Sequence, residues 1–142
     1  MNVVRMVDRD LVRRRLTLLD RYLAQLAPYA ALGLAEYESD WKTQRIVERT
    51  LHLSIETCMD LADHVVADRK LRVPDTGAES FEILAEAQVL PQELGRSLAT
   101  MVGFRNILLH DYTRLDPSVV LRVLTHDIRD LVRFRDILTG VI

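Results

Sequence analysis

The segment Gly103-Phe104-Arg105-Asn106-Ile107-Leu108-Leu109-His110-Asp111-Tyr112 gathers an Arg, an Asn, a His, an Asp and a Tyr around an apolar stretch. An imidazole gives or takes a proton near neutral pH, a guanidinium holds a fixed positive fork, and a phenol supplies a hydroxyl. Together they can bind an anion and move a proton beside it. A helix advances about 100° per residue, so Tyr112 returns nearly to the direction of Arg105, while Asn106 and His110 fall together roughly 100–140° away. A straight helix therefore makes two pairs. All four groups meet only if the chain leaves the helix near His110 or if a second copy supplies the missing half, and a two-fold dimer is the expectation. Gly95, Ala99 and Gly103 lie on the stripe that runs into Asn106 and His110. Their small side chains admit a ligand, a second copy or a neighbouring helix of the same subunit. The plainer role for His110 is a polar residue at a helix C-terminus, where positive charge is favourable.

The elements that must position this cluster are helices set off by breakers. Asp8 is a candidate cap for a first helix that Pro28 stops, and Ser39 is the candidate cap of a second that runs to about Leu71. Ile46, Leu51, Ile55, Met59, Ala62 and Val66 mark the expected buried stripe of that second helix. A shorter helix passes through Phe81, Ile83, Leu84 and Ala87. Pro91 is placed as the first-turn residue of a fourth, which carries Leu94, Leu98, Met101, Phe104 and Leu108. Asp116-Pro117, a capping acid before a first-turn proline, opens a fifth through Val120, Leu124, Leu131 and Leu138, with Gly140 just past its end. There is no internal repeat and no low-complexity stretch. The expectation is an all-α up-and-down bundle of about five helices in one domain spanning residues 1–142.

Composition narrows the class further. With 142 residues, 49% of them hydrophobic, the chain can bury a real core. One cysteine, Cys58, excludes a disulfide scaffold and a thiolate zinc site, and five Gly with four Pro exclude a turn-rich all-β domain. No apolar run approaches the roughly 20 residues that span a bilayer. The first ten residues lack the uninterrupted apolar stretch of a signal peptide, so a cytoplasmic location without membrane contact is expected. Nineteen basic residues against 21 acidic ones give a formal charge of −2, so any contact with nucleic acid must be local. Seventeen of the basic residues are Arg, a bias that suits bidentate phosphate contacts and that genomic base composition also produces.

Arg105, four intervening residues, His110, one residue and Tyr112 form an R-x-x-x-x-H-x-Y pattern that resembles the HEPN superfamily, and within it the HepT-like toxin ribonucleases. The likeness extends to Glu48-Arg49-x-Leu51, Ile55-Glu56 and Asp60-Leu61-Ala62-Asp63-His64, to Phe81 through Leu84, and to Met101 through Asn106. It covers roughly residues 8 to 138. The resemblance implies an endoribonuclease that needs no metal or other cofactor and works as a homodimer with two motif copies in one cleft. It also implies a nucleotidyltransferase antitoxin that silences the toxin by adding AMP to the motif tyrosine, here Tyr112.

On that reading the ribose 2′-hydroxyl of RNA attacks the adjacent phosphate. His110 serves as general acid or base and Arg105 binds the scissile phosphate. Asn106 orients the imidazole or touches RNA, and Tyr112 holds phosphate or sugar. DNA, which lacks the 2′-hydroxyl, is not an expected substrate. The rival reading is a non-catalytic docking module for a nucleotidyltransferase, against which the intact Arg105, His110 and Tyr112 argue. A metal-carboxylate bundle lacks its paired Glu-x-x-His pattern. Asp60, Asp63 and His64, and the pair His52 and Glu56, have spacings open to metal binding or to plain helix packing. The runs Arg13-Arg14-Arg15 and Arg129, Arg133, Arg135 suit an RNA path, an antitoxin contact or a solvated face.

Overall fold

A computed structural model describes the backbone of residues 3–141; the side chains of residues 3–8 and of Tyr112 lie outside the described residues. Every regular element among the described residues is a helix, and there is no strand among them. None of these helices is long and apolar enough to cross a membrane.

Helix α1, Val3–Leu26, starts before Asp8, because nothing in Val3 through Val7 interrupts helical pairing. It gives way to a 3₁₀ turn, Ala27–Tyr29, where Pro28 removes a backbone donor. A six-residue helix, α2 (Leu34–Ser39), occupies what reads in the sequence as a link. The long helix α3, Trp41–Asp68, is capped by Asp40 and not by Ser39: Asp40 is extended and its carboxylate accepts from the amides of Lys42 and Thr43. The Ser39 hydroxyl turns back to the Glu36 carbonyl and closes α2 instead.

Helix α3 ends three residues short of Leu71, through a left-handed Lys70 (φ 55°) and a Leu71 amide bonded 3.0 Å to the Val66 carbonyl. This is a Schellman closure made without the usual glycine. Gln88 (φ 61°) closes α4, Glu79–Glu86, in the same way. Helix α5, Gln92–His110, has Pro91 outside its first turn, since ψ 144° makes that residue the cap. Asp116 caps α6, Pro117–Arg122, as its sequence predicts. A π turn, Val123–Asp127, then leads into α7, Ile128–Val141, so the fifth helix is interrupted and Gly140 lies inside it.

The buried stripe of α3 runs through Val47, Leu51, Ile55, Cys58, Leu61 and Val65, with the expected Ala62 and Val66 buried beside it, while Ile46 is 46% exposed. The 4-4-3-3-4 spacing from Val47 keeps one face inward, and Ile46 is five residues from Leu51. The stripe feeds two core clusters. The larger joins α1, α3, α4, α5 and α7, and includes the edge-to-face pair Phe81 and Phe134 with centroids 5.5 Å apart. The smaller packs Leu26, Tyr37, Val47 and Leu51 against Val120 and Leu124. Phe104 touches both. It pins the helix immediately before Arg105.

Candidate active site

The last two turns of α5 carry Arg105, Asn106 and His110. Arg105 reaches across to α3, where its Nη2 lies 3.3 Å from Glu56 Oε1, and its Nη1 donates to Asn106 Oδ1 at 3.1 Å. Its side chain is only 17% exposed. Two acceptors and the packing of Phe104 therefore hold the fork in one direction. The second Glu56 oxygen lies 2.8 Å from His52 Nε2, close enough for an ion contact though not aligned as a hydrogen bond. On the other edge of that ring, Arg49 Nη1 stands 3.1 Å from His52 Nδ1. Arg can only donate, so neutral His52 keeps its proton on Nε2, facing Glu56. The result is a connected row across two helices: Arg49, His52, Glu56, Arg105, Asn106.

Burial pushes the His52 imidazole below its ordinary 6.5, and Arg49 and Arg105 push the same way against the pull of Glu56. A depressed folded pKa means that stability is fully present above about pH 6.5 and is lost as pH falls through the lower folded value. His52→Gln should therefore flatten the loss of stability below pH 6.5. Urea melts of both proteins at pH 7.5 and pH 5 check this; equal pH slopes would contradict it.

His110 is the final residue of α5 and is exposed. Asp111, at φ −137° and ψ 63°, takes the chain out of the helix directly after it. The Asp111 carboxylate accepts from Thr113 Oγ1 at 3.2 Å and lies 3.5 Å from Arg114 Nη1, fixing the 3₁₀ turn Tyr112–Arg114. The backbone thus departs from the helix before Tyr112. Arg105 and His110 remain about 7.5 Å apart along the axis and about 140° apart around it. One chain brings Arg105 together with Asn106 and Glu56; it leaves His110 on the outer face with Gly103 and Asn106.

The small-residue stripe divides. A Cβ on Gly95 would stand 2.8 Å from the Ala85 Cβ and 3.1 Å from the Phe81 carbonyl oxygen, so that end packs on α4 of the same chain. A Cβ on Gly103 would meet nothing within 4 Å. The open end of the stripe is the one that borders His110.

Other polar clusters are staples between helices. Arg15 Nε lies 2.6 Å from Asp60 Oδ2, which ties α1 to α3, and His64 sits 3.7 Å from the other Asp60 oxygen. Asp63 accepts from Ser80 of α4. Among the described residues no three His, Cys, Asp or Glu side chains gather as a metal site. Arg133 pairs with Glu93 at 2.8 Å and Arg135 with Asp20 at 3.4 Å, which fastens α7 to α5 and α1. The contact of Glu56 with Arg105 spans 49 residues of sequence. Its sequence signal is faint: Arg49, His52 and Glu56 recur at helical spacing on one face.

This helical bundle is the fold of the HEPN toxins. The tri-AMPylated Shewanella oneidensis HEPN toxin in complex with MNT antitoxin matches with a TM-score of 0.85 and 27% identity, over 92% of this chain and 98% of that one. Residues 19–138 match the Ribonuclease HepT-like family, and the chain belongs to it. Among its relatives, the mRNA nuclease HepT of Shewanella oneidensis is 29% identical over 129 residues, 91% of this chain and 96% of that protein. The tRNA nuclease HepT of Aphanizomenon flos-aquae is 33% identical over 119 residues, 84% of this chain and 81% of that protein.

Proposed function

We propose that this chain is the toxin of a toxin–antitoxin pair, a metal-independent endoribonuclease that acts in the cytoplasm as a homodimer and is silenced by AMP added to Tyr112. The observation that carries the reading is the end of α5, where Arg105 is held in a fixed direction by Glu56 and Asn106 while His110 stands open on the last helical turn. Relatives named mRNA nuclease and tRNA nuclease support the activity. A similar toxin that is AMPylated and bound to its antitoxin supports the partner and the modification.

In the proposed step a base takes the proton of the ribose 2′-hydroxyl, and the 2′-oxygen bonds to phosphorus. The bond from phosphorus to the 5′-oxygen breaks, and an acid protonates that leaving oxygen. A 2′,3′-cyclic phosphate and a 5′-hydroxyl remain. His110 serves one of the two proton transfers, and Arg105 balances the charge that gathers on the phosphate oxygens. The angle between Arg105 and His110 is why a second copy matters: it offers another His110 to a phosphate held by this chain's Arg105. AMP on Tyr112 would set a bulky anion beside the fork that must receive RNA.

Purified protein should leave 2′,3′-cyclic phosphate ends on RNA, with and without a chelator. Incubation with a cognate nucleotidyltransferase antitoxin and ATP should stop cleavage and add AMP to the wild type but not to Tyr112→Phe. Products ending in a 3′-hydroxyl would overturn the chemistry. A chain that binds the nucleotidyltransferase yet cleaves no RNA would be a docking module.

A further inference from the structure

At 3.6 residues per turn, Trp41, Arg45, Arg49, His52 and Glu56 fall within about 80° of one another on α3. Their mean direction is about 125° from that of the buried stripe Val47, Leu51, Ile55 and Cys58; Trp41, Arg45, Arg49 and Glu56 are exposed, and His52 is buried beneath them. Trp41, the single tryptophan of the chain, is 63% exposed on the first turn and joins neither core cluster. The Lys42 ammonium lies 5.9 Å from its ring centroid. Farther along the same face Arg45 pairs with Glu48 at 3.2 Å, and exposed Arg49 touches His52. The face then reaches Glu56, which holds Arg105. Asp40, the acid next to Trp41, has its carboxylate committed to the cap of α3.

We propose that this face is a track for single-stranded RNA, running from Trp41 to Arg105, in which Trp41 stacks on a base and Lys42 and Arg49 contact phosphates. The proposal rests on the reading of Arg105 as part of the cleavage centre. Charge complementarity and continuity with that centre select the occupant. Lys42, Arg45, Arg49 and Arg105 outnumber Asp40, Glu48 and Glu56 along the track, on a chain whose formal charge is −2. That is the local positive patch which the whole-molecule charge does not supply. An exposed indole among cations is the pairing used by proteins that bind single strands without reading sequence, because every base offers a π face. A duplex keeps those faces in its own stack. From Trp41 to Glu56 the helix rises about 22 Å, room for no more than about six nucleotides at a stacked rise of ~3.4 Å.

The single tryptophan gives the direct readout. Titrating the full-length protein with a fully 2′-O-methylated oligouridylate, which cannot undergo 2′-hydroxyl attack, should quench its fluorescence to saturation, and a duplex of equal length should not. Anisotropy with the same labelled strand should show Trp41→Ala binding about 5- to 100-fold more weakly and Trp41→Phe close to wild type. Lys42→Ala/Arg49→Ala should lower the salt slope of log K by about 1.4, two phosphate contacts at ~0.7 each. Cleavage of a long substrate by Trp41→Ala should rise in KM, while that of a dinucleotide, too short to reach Trp41, stays unchanged.

Cleavage by the wild type with no quenching and no effect of Trp41→Ala would overturn the track and leave the nuclease standing. Quenching without any cleavage would leave the track standing and remove the nuclease reading. A Trp41→Ala protein whose weaker binding follows only from a change in association state, seen by light scattering, would make the face an interface between copies and overturn the proposal.

Discussion

His110→Ala is expected to lose RNA cleavage by about 10²- to 10⁴-fold, the usual contribution of a positioned acid or base, while keeping its melting temperature and association state. The separation of the two effects follows from where the residue sits. His110 is exposed at the last position of α5, outside both core clusters, and the chain leaves the helix directly after it. Substitution there creates no cavity and strands no buried partner, so little stability depends on it. The loss should fall on kcat, since a proton transfer belongs to the transition state more than to binding. His110→Asn, which keeps hydrogen bonding but cannot relay a proton, should be as inactive as His110→Ala. Recovery of cleavage in His110→Asn would show that the ring only orients RNA.

Much of the framework is legible in the chain because it depends on local chemistry. Pro28 stops α1 and Asp116-Pro117 starts α6 for reasons contained in those residues. The departures have equally specific causes. Ser39 and Asp40 are both capping residues in adjacent positions, and only the structure shows that the hydroxyl closes one helix while the carboxylate opens the next. Lys70 and Gln88 adopt left-handed conformations without the glycine that would announce them. The π turn at Val123–Asp127 leaves no mark in the apolar periodicity. Within the candidate site, the R-x-x-x-x-H-x-Y spacing stands out as a pattern, whereas the environment of Arg105 does not. Glu56 and His52 reach it through the packing of α3 on α5, and no window of sequence contains both helices.

That environment sets the second large effect, on Arg105 itself. Arg105→Ala should lower the cleavage rate by about 10²- to 10³-fold, the range found when a preorganised donor to developing negative charge is removed. Arg105→Lys should recover little of it. The guanidinium spans Glu56 and Asn106 from two different nitrogens, and an ammonium, a point charge on a flexible stem, cannot keep that geometry while presenting donors to a phosphate. The fold should survive both changes, because Glu56 is 48% exposed and its carboxylate can rehydrate once its partner is gone. Glu56→Gln then separates charge from orientation. It keeps the reach of the side chain and its hydrogen bond but removes the anion that competes with RNA for the fork. Its KM should fall and its kcat should drop less than that of Arg105→Ala. If Glu56→Gln were instead as inactive as Arg105→Ala, with unchanged KM, the carboxylate would belong to the proton transfers and would not be a positioning residue.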